Sequence, residues 1–171
     1  MTKGGDGPHV RRLYSSAQRA RRDRSAWTLV QGVLAPVQFV IFLCSLALVL
    51  RFLATGSGEA AAEVSVVVKT LALYAIMITG SLWEKDVFGQ YLFAEPFFWE
   101  DVFSFLVLAL HTAYLAALAL GLLAPQGLML LALAAYAAYA INATQFLLKF
   151  RAARLAGGDG VACPPQAEPA A

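Results

Sequence analysis

Charge is scarce in this chain. Of its 171 residues only 14% are Asp, Glu, Lys or Arg, against about 25% in an ordinary soluble domain, and 60% are hydrophobic. The mean hydropathy is +0.65. Cysteine is nearly missing as well: Cys44 lies inside an apolar run and Cys163 in the polar tail, so no disulfide framework is expected. There is no paired Cys/His metal spacing, no glycine-rich phosphate loop and no Gly-x-Ser-x-Gly, which removes the commonest soluble chemistries. A net charge of +2, without basic residues interleaved with aromatics, gives no reason to expect a nucleic-acid partner. The few charges are also segregated, leaving four long apolar runs almost free of them. That pattern is an all-α integral membrane protein, and its length allows one compact four-helix bundle.

Residues 1–26 form a basic segment, with Lys3, Arg11, Arg12, Arg19, Arg21, Arg22 and Arg24 against Asp6 and Asp23. The run Arg19–Arg24 reads as an amphipathic lead-in lying on anionic lipid. The apolar run behind it is too long for a signal peptide, so the segment is expected to stay attached. The transmembrane domain, residues 27–150, divides into spans at about 27–54, 64–83, 101–123 and 128–148. Pro36 is expected to kink the first span. Thr55–Glu63 reads as a loop and Ala124–Gly127 as a tight turn, and the Gly-, Pro- and Ala-rich tail, 151–171, reads as disordered.

Each span carries a polar stripe. Gln31, Gln38 and Ser45 are seven apart, while Thr70, Tyr74, Met77, Ser81 and Glu84 alternate steps of four and three. Glu100, Ser104, His111 and Tyr114 share one face of the third span. Tyr136, Tyr139, Asn142 and Gln145 follow in steps of three along the fourth. Polar side chains facing hydrocarbon are costly, so these stripes are expected to face protein. Ten of the Lys and Arg residues lie in the two tails, whereas the outer loops offer only Arg51 and Lys69. Both termini, and the central loop with Lys85, are therefore expected to be cytoplasmic.

That central stretch, residues 80–101, holds Glu84, Asp86, Glu95, Glu100 and Asp101 against one cation. Trp83, Phe88, Tyr91, Phe93, Phe97, Phe98 and Trp99 stand among them. An interfacial aromatic belt would explain the rings. It does not explain Glu84 closing one span while Glu100 and Asp101 open the next. Carboxyls gathered there favour keeping one of them as a neutral acid able to donate a proton. The N-terminal helix dipole accounts for one acid at the start of the third span, not for all of them. Glu95, beside Pro96, reads as a solvated loop charge, and Asp86 as a partner for Lys85. His111 is the one histidine inside a span, about 15 Å below Asp101 by helix rise, and an ionisable residue at that depth suggests function. The reading is a cytoplasm-facing cleft with carboxyls at its mouth, rings on its walls and a histidine beneath, suited to acid–base chemistry on a flat hydrophobic molecule.

Four runs then carry a family resemblance: Trp27-Thr-Leu-Val-Gln-Gly-Val-Leu-Ala-Pro-Val-Gln-Phe39, Gly80-Ser-Leu-Trp-Glu-Lys-Asp-Val-Phe-Gly89, Phe97-Phe-Trp-Glu-Asp-Val-Phe103 and Ala109-Leu-His-Thr-Ala-Tyr-Leu115. They resemble the 3-vinyl (bacterio)chlorophyllide hydratases, called 2-vinyl bacteriochlorophyllide hydratases in older nomenclature. The resemblance covers about Arg19 to Phe150. It implies a hydro-lyase in a bacterial inner membrane that needs no cofactor of its own and acts in bacteriochlorophyll biosynthesis. Such an enzyme adds water across the C3-vinyl group of chlorophyllide a to give a 3-(1-hydroxyethyl) group. It brings no assignment of catalytic residues, so the candidates come from the residues themselves. Asp101, Glu100, Glu84 and Asp86, in that order, are candidates for the proton donor and base. Trp83, Trp99, Gln38, Asn142, Tyr74 and His111 are candidates for binding the pigment, with His111, Gln38 or Asn142 facing the magnesium that belongs to the substrate. Expected partners are the pigment and membrane lipid, with other pigment-synthesis enzymes or a second copy of the chain as further associations. The competing reading is a haem- or pigment-binding anchor or assembly subunit without turnover. A haem b site usually takes two axial ligands, and only His111 lies inside a span.

Overall fold

A computed structural model describes residues 14–158, and everything regular in that range is helical. A short helix, α1 (Ser16–Arg24), precedes α2 (Ala26–Thr55), α3 (Glu59–Phe88), α4 (Phe98–Ala119) and α5 (Pro125–Gly158), with a 3-10 turn at Glu95–Phe97 before α4. Four segments are long and apolar enough to cross a membrane: Ala26–Thr55, Glu59–Phe88, Glu95–Ala119 and Pro125–Ala152. The molecule is thus a multi-pass helical membrane protein. The helices pair as two antiparallel hairpins, α2 with α3 and α4 with α5, which meet chiefly along α5 against α2.

Packing follows the logic of lipid rather than of water. Leu29, Val40, Leu71, Ile78, Leu130 and Leu147 point outward, while Gln38, Ser45, Thr70, Ser104, His111 and Asn142 are buried. Without a hydrophobic drive between helices, association rests on close packing and interhelical hydrogen bonds. Gln31 Nε2 donates to Thr79 Oγ1 at 2.7 Å, tying α2 to α3. Ser45 Oγ lies 2.5 Å from Tyr136 Oη and 2.6 Å from Ser65 Oγ, joining α2, α3 and α5. The expected stripes therefore face protein. Around the Ser45 junction Phe42, Val49, Phe52, Val66, Tyr114 and Met129 form the largest apolar cluster.

The helix ends differ from the sequence expectation in ways that matter for the site. Ala60, Ala61 and Ala62 are strong helix formers, so α3 starts at Glu59 and the expected Thr55–Glu63 loop shrinks to residues 56–58. At its other end α3 runs past Trp83 to Phe88, where Gly89 (φ 87°) takes the left-handed cap and its N–H bonds to Lys85 O. Glu84 and Asp86 therefore sit within the last two turns of the helix. Between α4 and α5 the reversal comes earlier than expected. Gly121 (φ 61°) ends α4, and Leu122 N–H bonds back to Ala117 O. Pro125 then opens α5, where a missing N–H costs nothing. α2 continues through Pro36 as one helix. Residues 151–158, expected in the disordered tail, continue α5; the rest of that tail and residues 1–13 lie outside the described residues. The segment Arg19–Arg24 is helical as α1, held by a Ser15–Gln18 capping box, and it packs on α2 and α3. Lys69, counted above with the outer loops, is fully buried within α3.

Candidate functional site

The end of α3, the 89–97 connection and the start of α4 bring two carboxyls together. Glu84 and Asp101 are 5% and 4% exposed, and their side chains are hydrogen-bond partners of each other. Two carboxyl groups can share a hydrogen bond only if one keeps its proton. The backbone supplies two further donors. Phe93 N–H donates to Asp101 Oδ2 at 2.7 Å, and Ala94 N–H to Glu84 Oε2 at 3.2 Å. These successive amides face the pair because Phe93 is held at φ 60°, the one positive-φ non-glycine among the described residues. Such a conformation costs an L-residue roughly 1–2 kcal/mol. A Phe93→Gly variant is therefore expected to keep its thermal stability, while Phe93→Val, β-branched and poorly suited to positive φ, is expected to lose about 1–2 kcal/mol. Thermal unfolding in detergent checks this, and a Val variant as stable as the Gly variant would show that the backbone carries no strain there.

Glu100, next to Asp101 in the chain, is engaged by a cation of its own. Lys149, on α5, bonds to Glu100 Oε2 at 2.6 Å, donates a second bond to Pro96 O, and lies 5.0 Å from the centre of the Phe97 ring. Glu100 is thus a paired carboxylate that fastens α5 to the start of α4. Asp86 points outward from the last turn of α3 and is exposed, away from the pair. Lys85 does not reach toward it as expected: its Nζ donates to Gly89 O at 3.0 Å and lies over the Tyr91 ring. Glu95 is exposed on the 3-10 turn.

Rings flank the carboxyl pair on two sides. Inside, Trp83, Phe88 and Phe97 meet edge to face at 5.6–5.8 Å, with Tyr14 stacked on Phe88. Trp83 is anchored there, its Nε1–H donating to Thr28 Oγ1 at 3.0 Å. Outside, Phe93 stacks on Phe105 at 5.5 Å and 10° and tilts against Phe98, and these three rings are 40–45% exposed. Trp99, expected on a cleft wall, is 67% exposed and turned away from the bundle. The open cleft is not found either, because the Phe93–Ala94 backbone covers both carboxyls. A shallow apolar groove lined by Pro36, Val37, Val40 and Ile41 lies on α2, apart from them.

The remaining candidates lie deeper. Tyr74 Oη bonds Thr112 Oγ1 at 2.8 Å across α3 and α4. Asn142 Nδ2 donates to Ser104 Oγ at 2.8 Å, one turn below Asp101, and Gln38 is buried on α2. His111 is fully buried, its Nδ1 2.8 Å from Val107 O. Leu73, Val107 and Ala138 close a packed apolar layer between His111 and the carboxyl pair. Among the described residues no three His, Cys, Asp or Glu side chains are placed to hold a metal ion. Sequence reading missed Lys149 and Lys69 as parts of the interior. Lys69 carried a usable signal, since Thr70 beside it heads a polar stripe; Lys149 carried none, because its partner is forty-nine residues away.

Four membrane-spanning helices enclosing two buried carboxyls define a multi-pass helical membrane protein with an acid pair in its interior. The family model for 2-vinyl bacteriochlorophyllide hydratase matches residues 14–152. The 2-vinyl bacteriochlorophyllide hydratase of Cereibacter sphaeroides is 66% identical over 149 residues, covering 86% of this chain and 91% of that protein. The Rhodobacter capsulatus protein of the same name is 60% identical over 156 residues, covering 91% and 90%. No solved structure matches the chain. The chain belongs to the 2-vinyl bacteriochlorophyllide hydratase family, and it is a hydro-lyase rather than a pigment-holding anchor.

Proposed function

We propose that this protein adds water across the C3-vinyl group of chlorophyllide a, giving the 3-(1-hydroxyethyl) pigment, with Glu84 and Asp101 as its acid–base pair. The observation that carries the reading is the shared hydrogen bond of two buried carboxyls with an amide donor on each. The neutral partner protonates the terminal vinyl carbon. Positive charge then develops on the carbon attached to the macrocycle, where conjugation spreads it and the carboxylates stabilise it. The Phe93 and Ala94 amides hold the negative charge left on the pair. Water attacks the cationic carbon and returns a proton to the pair as the alcohol forms. One water is consumed, and the pair ends as it began.

The pigment reaches the pair from the membrane surface by way of the 89–92 connection, with the Phe93 and Ala94 amides kept in place, and its macrocycle lies on the Phe93–Phe98–Phe105 rings. His111 does not carry its magnesium. About 15 Å of helix rise separates the His111 and Asp101 backbones, and the Leu73–Val107–Ala138 layer intervenes between the imidazole and the pair. Magnesium stays a feature of the substrate, and no cofactor of the protein's own takes part. Supplying chlorophyllide a to the purified protein and following the red absorption band and the products by chromatography tests the reading. Loss of the vinyl group with appearance of the hydroxyethyl pigment is expected, and an unchanged pigment overturns it.

The site faces the cytoplasm in the bacterial inner membrane, where other pigment-synthesis enzymes or a second copy of the chain have access to it. With Lys69 buried, Arg51 is the one Lys or Arg left on the 56–58 side, so the bias toward cytoplasmic tails is stronger than the sequence count alone. A cysteine placed at the exposed Ser57 is expected to react with impermeant thiol reagents only from the periplasmic side. Labelling from the cytoplasmic side would invert the topology.

A further inference from the structure

Below the carboxyl pair, the bundle axis holds a series of buried polar atoms that no protein group satisfies. They are Gln145 Oε1, Asn142 Oδ1, Gln38 Nε2, Lys69 Nζ, His111 Nε2 and Tyr114 Oη. Lys69, His111 and Tyr114 are 0% exposed, Gln38 3% and Asn142 8%. A buried polar group without a partner is costly, and more so an ammonium group at membrane depth. Nature of the atoms decides what would satisfy them. Lys69 Nζ donates and Gln38 Nε2 only donates, while Asn142 Oδ1 and Gln145 Oε1 only accept. His111 Nδ1 faces the Val107 carbonyl, so it carries the ring proton and Nε2 presents a bare lone pair. Tyr114 Oη does both. An anion would serve only the donors and a cation only the acceptors. Water serves all six.

Several of the residues that carry these atoms are also linked by contacts along the bundle. Asn142 and Gln145 follow Tyr139 and Tyr136 in steps of three along α5, and Tyr139 itself packs at the edge of the apolar layer around Val107. Lys69 Nζ lies 3.8 Å over the Tyr139 ring. The His111 ring is 5.9 Å from Tyr136. Gln38 precedes by one turn Phe42, which packs on Tyr136 and Tyr139 at 5.4 and 4.9 Å. Beyond His111 the series reaches the fully buried Tyr114, one turn further along α4, and the half-buried Glu63 stands near the 56–58 connection. From Glu63 to Glu84 is about 32 Å of helix, close to the thickness of a bilayer's hydrocarbon core.

We propose that these groups hold a file of water molecules, entering beside Glu63, that delivers the reacting water to the Glu84–Asp101 pair. The inference rests on the hydratase reading. It answers a difficulty that reading creates, since a macrocycle seated over the pair on the other side blocks water from reaching it there. Ordered internal water typically makes about three hydrogen bonds to buried polar groups, and this column is a run of such sites.

Two measurements test it. Radiolytic footprinting of the pigment-free protein in ¹⁸O-water reads the file directly, because bound water oxidises the side chains beside it. Labelling of Tyr114 and Tyr139 with ¹⁸O is expected, and fully buried Tyr114 left unlabelled overturns the file. Steady-state hydration by Lys69→Met and Tyr114→Phe then reads the supply. Both replacements keep the volume, and Lys69→Met removes a buried amine that has no hydrogen-bond partner, so its unfolding temperature is expected to stay equal or rise. Its kcat is expected to fall by on the order of tenfold with KM unchanged. A wild-type kcat in Lys69→Met, with the footprint intact, overturns delivery. Wild-type protein that fails to hydrate chlorophyllide would count against the acid pair itself, whereas the footprint is read without any pigment.

Discussion

Replacing Asp101 by Asn is expected to slow vinyl hydration by about 10²–10⁴-fold, the usual contribution of a general acid–base group, while pigment affinity stays close to that of the wild type. Glu84→Gln is expected to fall in the same range. The amide keeps the volume and one acceptor oxygen but cannot pass a proton to carbon. Each change also breaks the exchange in which one carboxyl holds the proton and the other stabilises the charge, so the double variant is expected to be little worse than either single one. Such non-additivity is what two residues acting as a unit produce. Asp86→Asn, altering an exposed side chain on the outside of α3, is expected to hydrate at the wild-type rate. Product chromatography and pigment titration separate turnover from binding. Near-normal turnover in both Asp101→Asn and Glu84→Gln would end the acid-pair mechanism without touching the family assignment.

Much of this architecture was legible because lipid makes polarity informative. A glutamine or serine inside an apolar run must find protein, so the stripes through Gln38, Ser45, Ser104 and Asn142 predicted which helix faces meet. The same logic picked out Glu84 and Asp101. Helix ends were harder to read, because a hydropathy window stops where charges begin, and α3 runs on through Glu84, Lys85 and Asp86 until Gly89 caps it. That extra turn turns Glu84 inward and leaves Asp86 outside, a distinction that spacing within the loop could not make. The covering backbone was hidden too, since it depends on Phe93 adopting a conformation its side chain disfavours. His111 invited a ligand role from its depth alone. The structure shows it fully buried, with Nδ1 2.8 Å from the Val107 carbonyl and Nε2 without a hydrogen-bond partner.

Lys149→Met is expected to destabilise the protein by about 2 kcal/mol. Removing one partner of a buried ion pair costs roughly 3–5 kcal/mol, because the other charge is left without compensation. Here the lysine side chain is 25% exposed and the glutamate 9%, so water recovers part of that loss. The damage should also be local. Lys149 holds the Pro96 carbonyl as well as Glu100, so its loss frees the 3-10 turn that precedes α4 and leaves an unpaired Glu100 carboxylate beside Asp101. The companion variant Lys149→Met/Glu100→Gln removes that carboxylate, and most of the lost stability is expected to return. Hydration should return with it if Glu100 is only a fastening. If Glu100 were itself the proton donor, the double variant would recover stability yet stay inactive. Thermal unfolding and hydration rates across the four-member cycle therefore separate the fastening from the chemistry. An active, stable double variant leaves Glu84 and Asp101 as the groups that move the proton.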